Sequence, residues 1–379
     1  MHPELEVQKY LRSGKTPQDL KNELDIRFDN SGDLWGFTYT QTDSPKMHPI
    51  VLECRGIILD ERQNWKVIYM PFKRFFNHGE AQEMAPDKDD EKYWTRVKLM
   101  QKIDGTLLGV WWYKNKWNFS TRGRIHALGH VDRDPNKSFA DLATETIKEN
   151  YPDFWNRLDK EYTYTFELTS PENRVVVPYK EKGLTLLQMR EVKTLQEVGV
   201  NPNHAQELGV ASPEIYENKS INDLMRLVNS WHMFEEGIVA VDTSQYYDGY
   251  NFSRVKIKNL NYLAVAHIKE DSTRGLVTLM LNSNEAEFLL HYPEYTEELE
   301  GYKEKYSAYL CTVMNEWEKI KDIEDRKEFA MVAKVGTNPS ILFSLKDGKY
   351  TEASDHWEDL IGWKGEKMAA KIMMKYLGI

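Results

Sequence analysis

Alternation of apolar and polar positions organises the first two-thirds of the chain. In Gly36-Phe37-Thr38-Tyr39-Thr40 every second side chain is aromatic, and short apolar runs follow at 50–54, 57–59 and 67–69. Runs of this kind, bounded by Gly, Asp, Asn or Pro, predict strands. More are expected at 94–100, 107–113, 117–121, 162–168, 174–177, 184–187, 237–241 and 251–257. Helices interrupt them. Thr16-Pro17 supplies a capping residue and a first-turn proline, and 3.6-type spacing recurs over 138–147 and 222–231. Strands arriving in runs, with helices between them, predict an α+β domain of mostly antiparallel sheets.

The texture changes after about residue 260. Helical spacing holds at 261–269, from 271, and over 285–290, 294–320, 326–332 and 365–377, while no alternating pattern stands out. The 379 residues suffice for two domains. The expected division is 1–268 for the α+β domain and 269–379 for an all-α domain.

Composition narrows the setting. Only Cys54 and Cys311 occur, each among apolar residues, so neither a disulfide framework nor a cysteine zinc site is expected, and a reducing compartment fits. Met1-His2-Pro3-Glu4 has no signal-peptide character and no apolar run approaches membrane-spanning length, so a cytoplasmic protein is expected. His126 and His130 are four apart but lack the intervening glutamate of a zinc-protease helix. A net charge of −10 argues against indiscriminate binding to nucleic acid. Yet between Lys92 and Arg124 eight basic residues face a single acid, Asp104. Such a strip suits local handling of phosphates, and equally a solvated sheet face.

Within that strip lies Lys102-Ile103-Asp104-Gly105. Asp-Gly between apolar runs is a two-residue hairpin signal. It is also where a lysine could be held for covalent chemistry. A lysine nucleophile must be neutral to attack phosphorus, and burial or neighbouring cations lower its pKa. The same cations would stabilise charge on phosphate oxygens, and a divalent metal would need carboxylates, phosphates and water. The chain offers Lys256 and Lys258 on one strand face, Glu167 ending an aromatic strand, Glu236 opening another, and Arg55-Gly56 between apolar runs.

Four of these segments, taken in order, resemble the covalent nucleotidyltransferases: DNA ligases, RNA ligases and mRNA capping enzymes. Lys102-Ile103-Asp104-Gly105 looks like their first motif, Tyr164-Thr165-Phe166-Glu167 the third, Glu236-Gly237-Ile238-Val239 the fourth and Val255-Lys256-Ile257-Lys258 the fifth. The phage RNA ligase 1 family, the ATP-dependent tRNA-repair type, is more similar still. Glu53-Cys54-Arg55-Gly56-Ile57, Phe75-Phe76-Asn77, Asn173-Arg174-Val175-Val176 with Tyr179, and Leu187-Gln188-Met189-Arg190-Glu191 resemble its other segments.

That resemblance implies a nucleotidyltransferase (ATP-grasp-like ligase) domain followed by a helical domain that selects RNA. It implies Lys102 as the nucleophile that becomes lysyl-AMP, with Lys256 and Lys258 on the α-phosphate and pyrophosphate. Arg55, Arg74, Arg122, Tyr39, Phe76, Asp104 and Gly105 would surround the nucleotide, with Glu167 on the ribose. Glu167, Glu236 and Asp104 would hold Mg2+ or Mn2+. Arg74 and Arg122 stand where the family carries lysine, which keeps the charge but changes the geometry. The implied partners are ATP and RNA ends, a nicked tRNA among them, for a monomeric chain without a membrane. Rival readings are a capping guanylyltransferase or DNA ligase using the same lysine, and a non-catalytic nucleic-acid-binding relative.

Overall fold

The structure, a computed structural model, describes residues 4–80, 91–131, 134–199, 201–268, 272–281, 288–289, 292–364 and 366–379. The chain divides into two compact units, Met1–Ser230 with Phe234–Lys258, and Trp231–Met233 with Asn259–Ile379. The first unit therefore ends at Lys258, short of the expected residue 268. The helix Leu260–Ile268 packs on the helix Ser272–Leu281 and belongs with the second unit.

In the first unit, β1 (Ile26–Ser31), β2 (Leu34–Tyr39), β3 (Arg55–Asp60) and β4 (Lys66–Tyr69) form an antiparallel sheet in chain order. The helices Glu6–Arg12 and Pro17–Leu24 cover it, burying Leu5, Val7, Leu11 and Leu20 against Phe37, Ile57 and Leu59. Thr16 caps the second helix, its hydroxyl accepting from the Asp19 backbone N–H, as the Thr-Pro signal predicts. Residues 50–54 are a correction. The expected strand is the helix Pro49–Glu53, with Ile50, Val51 and Leu52 all buried. Ile50, Val51 and Leu52 are three consecutive apolar residues, and a short apolar run of this kind has no period that tells a buried strand from a buried helix.

The remaining strands are β5 (Phe76–Asn77), β6 (Lys98–Gln101), β7 (Thr106–Tyr113), β8 (Lys116–Thr121), β9 (His130–Val131) and β10 (Asp134–Ser138). They continue with β11 (Tyr162–Thr169), β12 (Gly183–Glu191), β13 (Glu197–Val198), β14 (Ile215–Tyr216), β15 (Gly237–Asp242) and β16 (Ser253–Lys258). Two five-stranded sheets result, ordered β13-β12-β11-β7-β8 and β14-β6-β15-β16-β5, with β9 and β10 paired apart. Among the described strand pairings only β16 with β5 is parallel, beside one isolated parallel bridge between Thr185 and Ala211. The helix Phe139–Asn150, capped by Ser138, buries Leu142 and Ile147 on the first of these sheets, against Leu108, Phe166 and Leu186.

Two other expectations shift. Trp94 lies in the helix Glu91–Arg96, so the strand begins only at Lys98. Residues 174–177 form no strand. Their backbone bends around Asp104, whose Oδ2 accepts from the N–H groups of Val176 at 2.9 Å and Val177 at 2.8 Å.

The two five-stranded sheets are clamped by buried charge. Glu197 of β13 accepts from Arg190 Nη2 at 2.9 Å, and from Arg254 Nη1 at 3.1 Å and Nη2 at 2.7 Å. Arg190 donates further to backbone carbonyls at Met70 and Leu195 and to Asn251. Its neighbour Arg254 projects from β16, in the other sheet.

The described regular elements of the second unit are helical. They include Thr296–Ile320, Arg326–Ala333 and Glu366–Leu377, near the expected spans. The helix expected at 285–290 lies largely outside the described residues. Pro339–Lys346 and Asp355–Lys364 are helices that spacing did not reveal. Pro339 reads as an interruption in the sequence, but Asn338 caps it and it starts a helix instead. Cys311 is exposed, against its expected apolar surroundings, whereas Cys54 is buried. Among the described residues no helix is long and apolar enough to cross a membrane.

Candidate active site

Gln101 ends β6 in one five-stranded sheet and Thr106 opens β7 in the other. Lys102-Ile103-Asp104-Gly105 therefore crosses between sheets and is no hairpin turn. Three of its four residues have a reason to be there. The Lys102 N–H donates to the Gly237 carbonyl at 2.8 Å, continuing the β6–β15 ladder. Asp104 turns inward to the Val176 and Val177 N–H groups. Gly105 runs so close to β11 that a Cβ would sit 2.5 Å from the Leu168 carbonyl oxygen, so only glycine fits.

A cavity of about 180 Å³ opens where these sheets meet. Its charged wall includes Arg55, Lys102, Glu167, Arg254, Lys256 and Lys258, and its apolar wall includes Phe72, Phe75, Leu187 and Val198. The three basic residues of β16 share one face because side chains alternate along a strand. Beneath Lys102 lies Glu236, nearly buried, with Oε2 2.7 Å from Lys102 Nζ and Oε1 2.9 Å from Lys258 Nζ. One carboxylate thus bridges two lysines.

The electrostatics differ from the sequence expectation. Burial pushes the Lys102 ammonium down, but Glu236, Glu167 and Asp104 outweigh it and hold the group above the ordinary lysine value. In the free protein Lys102 is protonated, not stripped of its proton by cations. That depression falls on Lys256. Burial, with Arg55, Lys102 and Lys258 around it, pushes Lys256 down to about 7. Burial also raises the Glu167 carboxyl, to about 8, despite the pull of Lys102. Burial would raise Glu236 too, but Lys102 and Lys258 prevail and hold it below the usual range.

The other expected residues form a second cluster. Tyr39 is sandwiched between two guanidiniums, Arg74 at 4.1 Å and Arg122 at 4.3 Å from its ring centre. Arg122 also donates to the Tyr39 carbonyl and the Thr38 hydroxyl. Arg74 lies over Phe76 as well. None of these four is among the described residues lining the cavity. Phe76 pairs with Val255 and is buried, so the adjacent Phe75 faces the cavity, with Lys256 Nζ 4.7 Å from its ring. Phe72, Phe75 and Arg254 were missed in the sequence. Extending the period of two back from Lys256 would have found Arg254.

Arg55 Nη1 and Arg74 Nη1 are buried without a hydrogen-bond partner, which suits them to receive an anion. Glu167, Glu236 and Asp104, expected to hold a metal, are set as follows in the ligand-free chain. Among the described residues no three acidic, histidine or cysteine side chains converge as a metal site. Glu236 pairs with two lysines, Asp104 accepts from backbone N–H groups, and burial raises the Glu167 carboxyl.

Gly237 has φ +138°, and a Cβ there would lie 2.2 Å from the Ile257 carbonyl oxygen. Gly237→Ala should lose roughly 2–5 kcal/mol, through strain and forced separation of β15 from β16. Thermal unfolding checks this; an unchanged midpoint would refute the close approach.

Comparison with known proteins places these residues in company. A family model described as RNA ligase matches residues 53–262. The RNA ligase of Rhodothermus phage RM378 is 28% identical, over 90% of this chain and 92% of that protein. RNA ligase 1 of bacteriophage TS2126 is 30% identical, over 38% of this chain and 35% of that one. Among solved structures, an archaeal ATP-dependent RNA ligase aligns with a TM-score of 0.43 at 15% identity, covering 72% of this chain and 67% of that one.

Proposed function

The chain belongs to the RNA ligase family, and from that premise we propose that it seals RNA by three transfers centred on Lys102, with ATP as the adenylyl donor. Lys102 Nζ attacks the α-phosphorus of ATP, making a P–N bond to AMP as pyrophosphate leaves. The adenylyl group passes to the 5′-phosphate of an RNA end, breaking that P–N bond and returning the amine. The 3′-hydroxyl of the other end then attacks the activated 5′-phosphate, and AMP departs. The observation that carries this reading is the Glu236 carboxylate shared by Lys102 and Lys258. It holds the attacking amine beside the cations that would receive the phosphates.

Roles follow from position. Arg55, Lys256 and Lys258 line the cavity as phosphate ligands, where oriented charge is most effective away from bulk water. Glu167, with its raised pKa, can donate or accept a hydrogen bond at a ribose hydroxyl. Phe72, Phe75 and Leu187 offer an apolar wall to a base. The Tyr39, Arg74 and Arg122 cluster suits a further phosphate, such as that of the RNA end. A divalent metal, Mg2+ or Mn2+, would be held by the phosphates of ATP and water, with Glu167 and Glu236 the carboxylates beside Lys102. The helical unit is proposed to select the RNA, a nicked tRNA being one form of it.

Intact mass after incubation with magnesium and either ATP or GTP tests the first transfer. Gain of one AMP is expected; a GMP adduct, or none, would overturn the reading. Sealing of 5′-phosphorylated RNA but not of the matching DNA is expected next.

The first transfer should also depend on pH in a stated direction. Lys102 titrates above the ordinary lysine value, so its neutral fraction keeps growing through the alkaline range. Adduct formation should accelerate steadily between about pH 7 and pH 9. Glu236→Gln removes the strongest charge favouring the ammonium, and should move this rise to lower pH. A rate flat across that range in the wild type would mean that the amine is already neutral.

A further inference from the structure

The reading above leaves one basic, aromatic hollow without a role. It lies in the first unit, has a volume of about 350 Å³, and is bordered by β4, the β7–β8 turn and the segment before β11. Among the described residues lining it are Lys66, Lys114 and Lys160, and no carboxylate. Lys114 and Asn115 make the tight turn with positive φ, which projects the lysine from the sheet end. Lys160 Nζ sits 4.1 Å above the Trp112 ring, and Lys114 Nζ 5.2 Å from the centre of Tyr113. Nearby acid is largely spoken for. Asp60 is buried and accepts from Gln63 and the Tyr113 hydroxyl, while Asp33 is 3.4 Å from Lys114.

All three lysines are exposed, on a chain whose net charge is −10. A hollow of one sign on a body of the other attracts a polyanion locally while the whole repels it. Aromatic rings interleaved with lysines are the means by which proteins hold single strands: cations track the phosphates and a base stacks on a ring. The hollow and the cavity share a strand. β7 carries Leu107 in the cavity wall and, about 17 Å further along and on the opposite face, Trp112 in the hollow, so an RNA strand touching both would pass round the sheet edge.

We propose that this hollow is a second RNA contact, taking the backbone of the strand being sealed several nucleotides from the end held near Lys102, with a base against Trp112. The inference rests on the RNA-ligase reading and adds to it where along the strand the enzyme grips.

The test uses the full chain carrying Lys66→Glu, Lys114→Glu and Lys160→Glu together, with a Lys→Gln set as a milder second variant. Neither set touches the cavity, so AMP-adduct formation and thermal unfolding should match wild type. Binding of a long, labelled, 5′-phosphorylated single-stranded RNA should weaken about tenfold or more, and the slope of log affinity against log salt should shrink by about 2. Sealing of a very short oligoribonucleotide, unable to reach the hollow, should be unchanged. Equal binding and salt slope in variant and wild type would overturn the inference alone, as would equal losses on short and long RNA. A wild type that takes up no AMP and seals no RNA would overturn the underlying reading, and this inference with it.

Discussion

Incubated with ATP and magnesium, the Lys102→Ala variant is expected to keep its unmodified mass, while the wild-type chain gains one AMP. The effect should be complete, because the cavity's two other amines are assigned to the phosphates. Lys258 is paired to the far oxygen of Glu236, and Lys256 lies two residues earlier on β16. Lys102→Arg should be equally inert, since a guanidinium stays protonated at any useful pH. Loss of fold is separable from loss of chemistry. Either variant should still seal an RNA supplied with its 5′-phosphate already adenylylated, because that substrate bypasses the lysine. An AMP adduct on Lys102→Ala would move the nucleophile elsewhere.

The largest expected effect on stability lies behind the cavity, at Glu197. Its carboxylate is fully buried between Arg190 and Arg254, with Gln188 also donating to it at 2.7 Å. Burying such a group costs several kcal/mol in lost hydration, offset here by good geometry and many partners. Removing it leaves two guanidiniums confined without their anion. Burial already holds Arg190 below the ordinary arginine value, so it has little solvent to turn to. Glu197→Ala should therefore cost roughly 3–5 kcal/mol, read as a large fall in the unfolding midpoint. The loss should also free Arg254 from its place over Phe72, where its guanidinium carbon is 4.4 Å from the ring centre. Nucleotide binding should weaken in any Glu197 variant that remains folded. A Glu197→Ala midpoint equal to wild type would show that the clamp contributes nothing.

Much of this arrangement was legible beforehand, for reasons that differ by element. Residues 107–113 and 162–168 were readable as strands because their residues favour the pleated, half-buried surface of a sheet. The helix at Thr16 was readable from its local capping signal, and the helix after Ser138 from its spacing. Residues 50–54 were not, since burial on all sides erases periodicity. The bend at 174–177 was not, because its shape depends on Asp104, distant in sequence. Likewise, Phe76 was favoured over Phe75 although strand pairing with β16 turns Phe75 to the cavity.

The sequence by itself determined the candidates for the chemistry. Lys102, Glu167, Glu236, Lys256 and Lys258 could be named from type, order and spacing, because strands impose a fixed period on whatever they carry. Only the tertiary structure decided their charge states. Proton affinity depends on distance and desolvation, which sequence separation does not encode. Folding brings Glu236 to 2.7 Å from an amine 134 residues away, and so keeps Lys102 protonated while leaving Lys256 among cations.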